Sequence, residues 1–331
     1  MRAGVLGAGS WGTTLAIMLA KHSWEVRLWD FRPDAAERMQ RERVNSEFLP
    51  GFPLPPNLNV TSDIESAVDG ADLCLLVVPS HVMREVLNRL PEMPDGIVVS
   101  ATKGLEEATH FRMSEVAADV WWQSYAASRF VCLSGPSHAE EVVVGLPTTV
   151  VASSLNLDAA RRVQDLLSGE RFRVYAHGDL VGVELGGALK NIIAIAAGIA
   201  AGLGFGDNTT GALLTRGMAE IGRLGVKLGG QPATFAGLSG IGDLITTCCS
   251  RHSRNRFVGE QLGKGRKLPE ILAGMVQIAE GVRTTRSAWE LAQREEVEMP
   301  ITGQVHRILF EGADPLQATT ELMTRRLKVE D

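Results

Sequence analysis

Apolar residues in the first half of the chain fall in short runs, separated by longer stretches with helical spacing. The runs Arg2–Leu6, Glu25–Trp29, Asn59–Thr61, Leu73–Val78, Ile97–Ala101, Phe130–Ser134, Thr148–Ala152 and Phe172–Tyr175 read as strands. Leu73-Cys74-Leu75-Leu76-Val77-Val78 is apolar without a break, as expected of a strand covered on both faces. Strands alternating with helical patterns predict a parallel sheet layered between helices. The segment Leu49-Pro50-Gly51-Phe52-Pro53-Leu54-Pro55-Pro56 can be neither helix nor central strand, and reads as a stiff extended connector.

Beyond Gly178 the strand signals stop. Helical patterns follow near Val181–Gly202, Thr209–Leu228, Pro232–Leu238, Gly240–Thr247, Arg254–Lys264, Pro269–Met275, Thr284–Arg294 and Ile301–Phe310, with one more near the C-terminus. The expected division is therefore an α/β domain over residues 1–177 and an all-α domain over 178–331. No Pro/Ser linker separates them, so close packing around a cleft is expected.

Composition narrows the function classes. The 331 residues carry 33 Lys+Arg against 39 Asp+Glu, a net charge of −6. Such mild acidity creates no field that would gather nucleic acid or an anionic membrane. The longest uncharged helical stretch, Asn191–Gly206, falls short of the roughly 20 residues a membrane helix needs, so no span is predicted. Cys74, Cys132, Cys248 and Cys249 lack metal-type or disulfide-type spacing, and no metal site is expected. Met1 leads straight into a strand pattern with no basic–apolar leader, so a reduced cytoplasmic protein is expected.

Chemistry enters at Gly7-Ala8-Gly9-Ser10-Trp11-Gly12, which follows a strand and opens a helix. Gly7 suits the tight turn, Gly9 the approach of a pyrophosphate, and Gly12 the packing of helix on strand. The helix N-terminus adds unpaired N–H groups and a positive dipole end. The α/β part is thus of Rossmann type. The end of the second strand sends two signals: Asp30 suits a ribose 2′-hydroxyl and NAD, whereas Phe31-Arg32 suits adenine and the 2′-phosphate of NADP. Either cofactor remains open.

Four further segments are too polar or too glycine-rich for their surroundings. Lys103, in Ser100-Ala101-Thr102-Lys103-Gly104, follows a strand at the carboxyl edge where open α/β sheets bind ligands; a surface lysine is the plainer reading. Gly135 and Ser137 lie in Ser134-Gly135-Pro136-Ser137-His138, where Ser137 can hold an anion or cap the helix at Ala139. His138 has no carboxylate placed beside it and ranks below the lysines as a proton carrier. Lys190 and Asn191 interrupt a helix otherwise apolar or small on every side, so the charge needs a partner, such as Glu184 or Asp243, or a chemical task. Asp243 sits among small residues in Ser239-Gly240-Ile241-Gly242-Asp243. Ser253-Arg254-Asn255-Arg256 joins a helix cap to a guanidinium, a compact phosphate site or simply a capped surface helix.

Together and in this order, GAGSWGT (7–13), VVPSH (77–81), SATKGLE (100–106), SGPSHAEEV (134–142), GALKNIIAIAAG (187–198), TRGMAEIGRLG (215–225), LSGIGDLITTC (238–248), SRNRFVG (253–259) and AEGVRTT (279–285) resemble the NAD(P)-dependent glycerol-3-phosphate dehydrogenases of the bacterial, biosynthetic type. The resemblance covers essentially the whole chain. It implies an all-α part like the C-terminal domain of 6-phosphogluconate dehydrogenase. It also implies Lys190 as the proton-transferring residue, with Lys103, Gly135, Ser137, Asp243, Ser253, Arg254 and Asn255 around glycerol 3-phosphate. Ser10, Trp11, Phe31 or Arg32, Lys103, Ala139, Arg254, Ile278 and Glu280 would contact NAD or NADP, and a homodimer is implied.

The implied reaction reduces dihydroxyacetone phosphate to sn-glycerol 3-phosphate, reversibly, for phospholipid synthesis. Reduction needs Lys190 protonated, and oxidation needs it neutral. Burial and Lys103 should lower its pKa while Asp243 opposes them. Two rivals compete: another two-domain hydroxyacid dehydrogenase, and a non-catalytic dinucleotide sensor. The second would not need Lys103, Lys190, Asp243 and Arg254 together.

Overall fold

In the computed structural model, which describes residues 1–327 and 329, ten strands run through the first 177 residues: β1 Arg2–Leu6, β2 Glu25–Trp29, β3 Val44–Asn45, β4 Leu49–Pro53, β5 Leu58–Thr61, β6 Leu73–Leu76, β7 Ile97–Ser100, β8 Phe130–Ser134, β9 Thr148–Ser153 and β10 Phe172–His177. Eight form one sheet in the order β10-β9-β8-β7-β6-β1-β2-β5. Residues 328, 330 and 331, the end of the expected all-α part, lie outside the described residues.

The sheet departs from the expected parallel pattern at one place. β8 and β9 pair antiparallel, with Cys132 opposite Ser153 and Ser134 opposite Val151. Every other pair in this sheet is parallel. Strands covered on both faces read as apolar runs whichever way they point, so the pattern carries no sign of direction. The proline-rich segment is extended as expected, yet it also pairs: Leu49–Pro53 forms a two-stranded antiparallel ribbon with Val44–Asn45, beside the main sheet.

Side chains alternate across the sheet with period two. Leu73, Leu75, Val99, Val131 and Leu133 enter one core layer, and Cys74, Leu76, Val98, Phe130 and Cys132 enter the other. A third core fills the helical half, built around Leu185, Leu189, Ile192, Ile193 and Ile195. These belong to the helix Leu180–Gly202, whose N-cap Asp179 accepts hydrogen bonds from Gly182 N (2.9 Å), Gln231 N (2.8 Å) and Thr234 Oγ1 (2.6 Å). By length and composition this helix could cross a membrane, a longer stretch than the sequence suggested, but 89% of its most apolar window is buried inside the protein. Apart from Glu184, Lys190 and Asn191 it is apolar or small all round, because other helices and the edge of the sheet cover it.

From Leu180 onward every described element is helical, and the helices follow the expected segments. One differs in kind. The expected helix Gly240–Thr247 is a wide turn over Leu238–Gly242, bent at Gly240 (ψ −105°), that runs into a regular helix over Asp243–Cys249. The bend starts a new helix at Asp243.

Candidate active site

β1 ends at Leu6 and the chain turns through Gly7-Ala8-Gly9 into the helix Ser10–Lys21. Gly7 takes φ +114°, and a Cβ there would lie 2.6 Å from the Val77 carbonyl oxygen. Gly9 differs: a Cβ on it would meet nothing within 4 Å. The helix start has no side-chain cap, so its first N–H groups remain available beside that open space. The cradle fits the diphosphate of a nicotinamide dinucleotide. Ser10 Oγ accepts from Gln277 Nε2 at 3.0 Å, and the Trp11 ring packs 6.4 Å from that of Phe172. Phe31 is 62% exposed, whereas Arg32 is paired with Asp30 and Glu47.

At the carboxyl ends of neighbouring β7 and β8, the loops carrying Lys103 and Gly135 meet. Lys103 Nζ donates to the Gly135 carbonyl at 3.0 Å and pairs with Asp243 Oδ2 at 2.7 Å. Lys190, only 5% exposed, donates to Asp243 Oδ1 at 2.5 Å and to Thr247 Oγ1 at 2.7 Å. Gly187 lets the long helix come this close to the strand ends, since a Cβ there would sit 2.6 Å from Ser134 Oγ and 3.6 Å from Lys103 Cγ. Of the two partners considered for Lys190, Asp243 is the one found; Glu184 instead pairs with Arg112 at 2.6 Å.

The charges at this point balance in a specific way. Burial pushes the Lys190 ammonium down to about 8, with Asp243 opposing and Lys103 adding to the fall. Burial would raise Asp243, but Lys103 and Lys190 together hold its carboxyl below the usual range. One buried carboxylate thus serves two ammonium groups, one of which can give up its proton near neutrality.

Ser253 caps the helix Arg254–Gly263 by accepting from Arg256 N at 3.2 Å. The Arg254 guanidinium makes no hydrogen bond or ion pair among the described residues, although the carboxylates of Glu280 and Glu140 act on it through space. Asn255 is buried and joins Asn191 Oδ1 (2.9 Å) to the Gly281 N–H (2.9 Å). Ser137 does not cap the helix Ala139–Val143: its hydroxyl donates back to the Gly135 carbonyl at 3.0 Å, and His138 occupies the cap position. The Ala139 carbonyl accepts from Thr14 Oγ1 at 3.4 Å, on the dinucleotide helix. Glu280 accepts from Ser80 N (3.0 Å) and Ser80 Oγ (2.6 Å), and Ile278 is 39% exposed close by in sequence. Among the described residues His138 Nε2 is buried without a hydrogen-bond partner, and burial followed by the Lys190 charge lowers the His138 pKa.

Sequence reasoning gave no role to Thr247, Ser80 or Gln277. Thr247 was within reach of it, because it lies four residues after Asp243 and so shares its helix face. The Ser80–Glu280 and Ser10–Gln277 contacts join positions 200 and 267 residues apart, and no local pattern marks them.

A dinucleotide cradle beside a buried lysine–aspartate–lysine cluster defines a nicotinamide-dependent dehydrogenase. Residues 2–160 match the family described as NAD-dependent glycerol-3-phosphate dehydrogenase N-terminus, and residues 179–320 match its C-terminus. The chain belongs to this family. It is 52% identical over 323 residues to glycerol-3-phosphate dehydrogenase (NAD(P)+) of Pelotomaculum thermopropionicum, covering 97% of this chain and 92% of that one. It is also 52% identical over 329 residues to the same-named protein of Geobacter metallireducens, covering 99% and 98%. The crystal structure of glycerol-3-phosphate dehydrogenase from Coxiella burnetii superposes with a TM-score of 0.92 at 42% identity, over 98% of this chain and 99% of that one.

Proposed function

We infer that this protein reduces dihydroxyacetone phosphate to sn-glycerol 3-phosphate with NADH or NADPH, supplying the glycerol phosphate of phospholipids. The observation that carries the reading is the buried Lys190 ammonium, 2.5 Å from Asp243 and shifted to about 8. A ketone oxygen entering this cluster meets a donor that is charged at neutral pH and able to part with its proton. Lys190 hydrogen-bonds that oxygen, stabilises the negative charge that gathers on it, and delivers the proton. Asp243 keeps the lysine oriented, and Lys103 adds positive charge at the other side of the same carboxylate. The bound nicotinamide supplies the hydride to substrate C2.

Substrate phosphate goes to Arg254, whose guanidinium is uncommitted, and to the helix start at Ser253 and Asn255. Gly135, Ser137 and Lys103 complete the lining from the strand ends. Gly7, Gly9, Ser10, Trp11 and Gly12 hold the dinucleotide, together with Phe31, Arg32, Lys103, Ala139, Arg254, Ile278 and Glu280. Residues 1–177 act as the dinucleotide-binding domain and 178–331 as the substrate domain. The protein works as a homodimer in the cytoplasm, the state that the family likeness supports and that sedimentation would test.

The test is spectrophotometric. Dihydroxyacetone phosphate should drive oxidation of NADH or NADPH at 340 nm, while 6-phosphogluconate and simple β-hydroxyacids should drive no reduction of NAD or NADP. Dinucleotide binding without turnover of any triose phosphate would support a sensor instead.

A further inference from the structure

The chain that follows β2, at the adenosine end of the proposed dinucleotide site, forms an ion cluster. Arg32 follows β2 and folds back on Asp30: its backbone N–H reaches Oδ1 at 2.9 Å, Nε reaches the same oxygen at 3.1 Å, and Nη2 reaches Oδ2 at 3.3 Å. Its Nη1 donates to both oxygens of Glu47 at 3.0 Å each. Glu47 comes from the turn between β3 and β4, and Arg38 approaches it at 3.8 Å. The rings of Phe31 and Phe48 flank the Arg32 guanidinium, each centroid 5.5 Å away.

We propose that Glu47 makes this protein select NADH over NADPH, by holding Arg32 against Asp30. The proposal rests on the reading that the Gly7 turn binds NAD(P)H. The two cofactors differ by a 2′-phosphate, a doubly charged group that needs free donors and a positive field. A guanidinium has five N–H donors, and three of those on Arg32 already point at carboxylates, the Nη1 proton being shared between both Glu47 oxygens. With Asp30, Glu47, Arg32 and Arg38 together, the cluster has no net positive charge to offer. A 2′-hydroxyl needs less. A carboxylate offers about four acceptor positions, and Arg32 fills three on Asp30, leaving one for a hydroxyl donor.

Asp30 is 4% exposed and fixed, whereas the Glu47 side chain is 31% exposed on a surface turn. Glu47 is therefore a positioning residue that acts through Arg32, and the easier of the two carboxylates to change without disturbing the core. Without its charge, Nη1 is released and the cluster gains one positive charge, which is what a 2′-phosphate requires.

The test is equilibrium binding to the full chain, by nicotinamide fluorescence for NADH and NADPH and by calorimetry for ADP-ribose and 2′-phospho-ADP-ribose. The unaltered protein should bind NADH about tenfold tighter than NADPH or better. Glu47→Gln should move the ratio of the two Kd values toward NADPH by about tenfold, and adding Arg32→Ala should abolish that gain. A merely structural role for Glu47 would move both affinities together and leave the ratio alone. Equal affinities in the unaltered protein, or a ratio unmoved by Glu47→Gln, would overturn the role of Glu47 while leaving the dinucleotide site intact. Failure to bind either dinucleotide would overturn both.

Discussion

Lys190 and Asp243 form a buried ion pair at 2.5 Å, and the second oxygen of Asp243 lies 2.7 Å from Lys103. The pair joins the long central helix to the first turn of the helix that begins after the bend at Gly240. A single carboxylate between two ammonium groups leaves the pair of lysines one charge in excess, at a point where burial penalises charge. The proton on Lys190 is the one whose loss relieves that excess.

The pH dependence follows from the sign of the shift. Reduction uses the protonated ammonium, so its kcat/KM should hold below neutrality and fall as pH rises through about 8. Oxidation of glycerol 3-phosphate uses the neutral amine and should rise through the same region. Initial rates in both directions across pH 6 to 10 check this, and limbs that do not mirror each other would remove Lys190 as the shared proton carrier.

Asp243→Asn deletes the charge that opposes the fall in Lys190. The alkaline limb of reduction should move to lower pH by about 1 to 3 units. Two lysines would then lose their buried counter-ion, so stability should drop by about 3 kcal/mol or more, read as a lower Tm. An unchanged limb would show that Asp243 does not set the ionisation.

Arg254→Ala should raise the KM for dihydroxyacetone phosphate by about 10- to 100-fold. Tm should barely change, because the guanidinium makes no hydrogen bond or ion pair among the described residues. A KM that stays put would move the phosphate elsewhere.

Glu220 gives a separate test of the helical half. Its buried carboxylate accepts from Ile301 N at 2.6 Å and Thr302 N at 3.1 Å, at the start of the helix Pro300–Phe310. Burial pushes it up from 4.5 to about 7. A carboxyl raised in the folded state favours folding most below its unfolded value and loses that contribution as pH climbs through its folded value. Between about pH 5 and 7.5 the unaltered protein should lose up to about 3 kcal/mol relative to Glu220→Gln in denaturant unfolding. A difference independent of pH would contradict the assignment.

Much of this molecule is legible in its sequence, for physical reasons that also set the limits. Strands such as Leu73–Leu76 announce themselves because both their faces are covered, and that same symmetry hides the reversed direction of β9 and β10. Lys190 stands out because a charge in a helix apolar on all sides demands an explanation. Pairing of the proline-rich segment depends on Val44–Asn45 bending back toward it, a tertiary event that no periodicity encodes. The conflict between Asp30 and Arg32 had the same origin. Its resolution depends on Glu47, 15 residues further on, which meets the arginine only once the β3–β4 ribbon has formed.

The most direct measurement is the turnover of Lys190→Met with dihydroxyacetone phosphate near neutral pH, taken together with its dinucleotide Kd. A loss in kcat of about 10²- to 10⁴-fold is predicted, with NADH still bound as tightly as by the unaltered chain. Turnover within tenfold of the unaltered protein would contradict Lys190 as the proton donor.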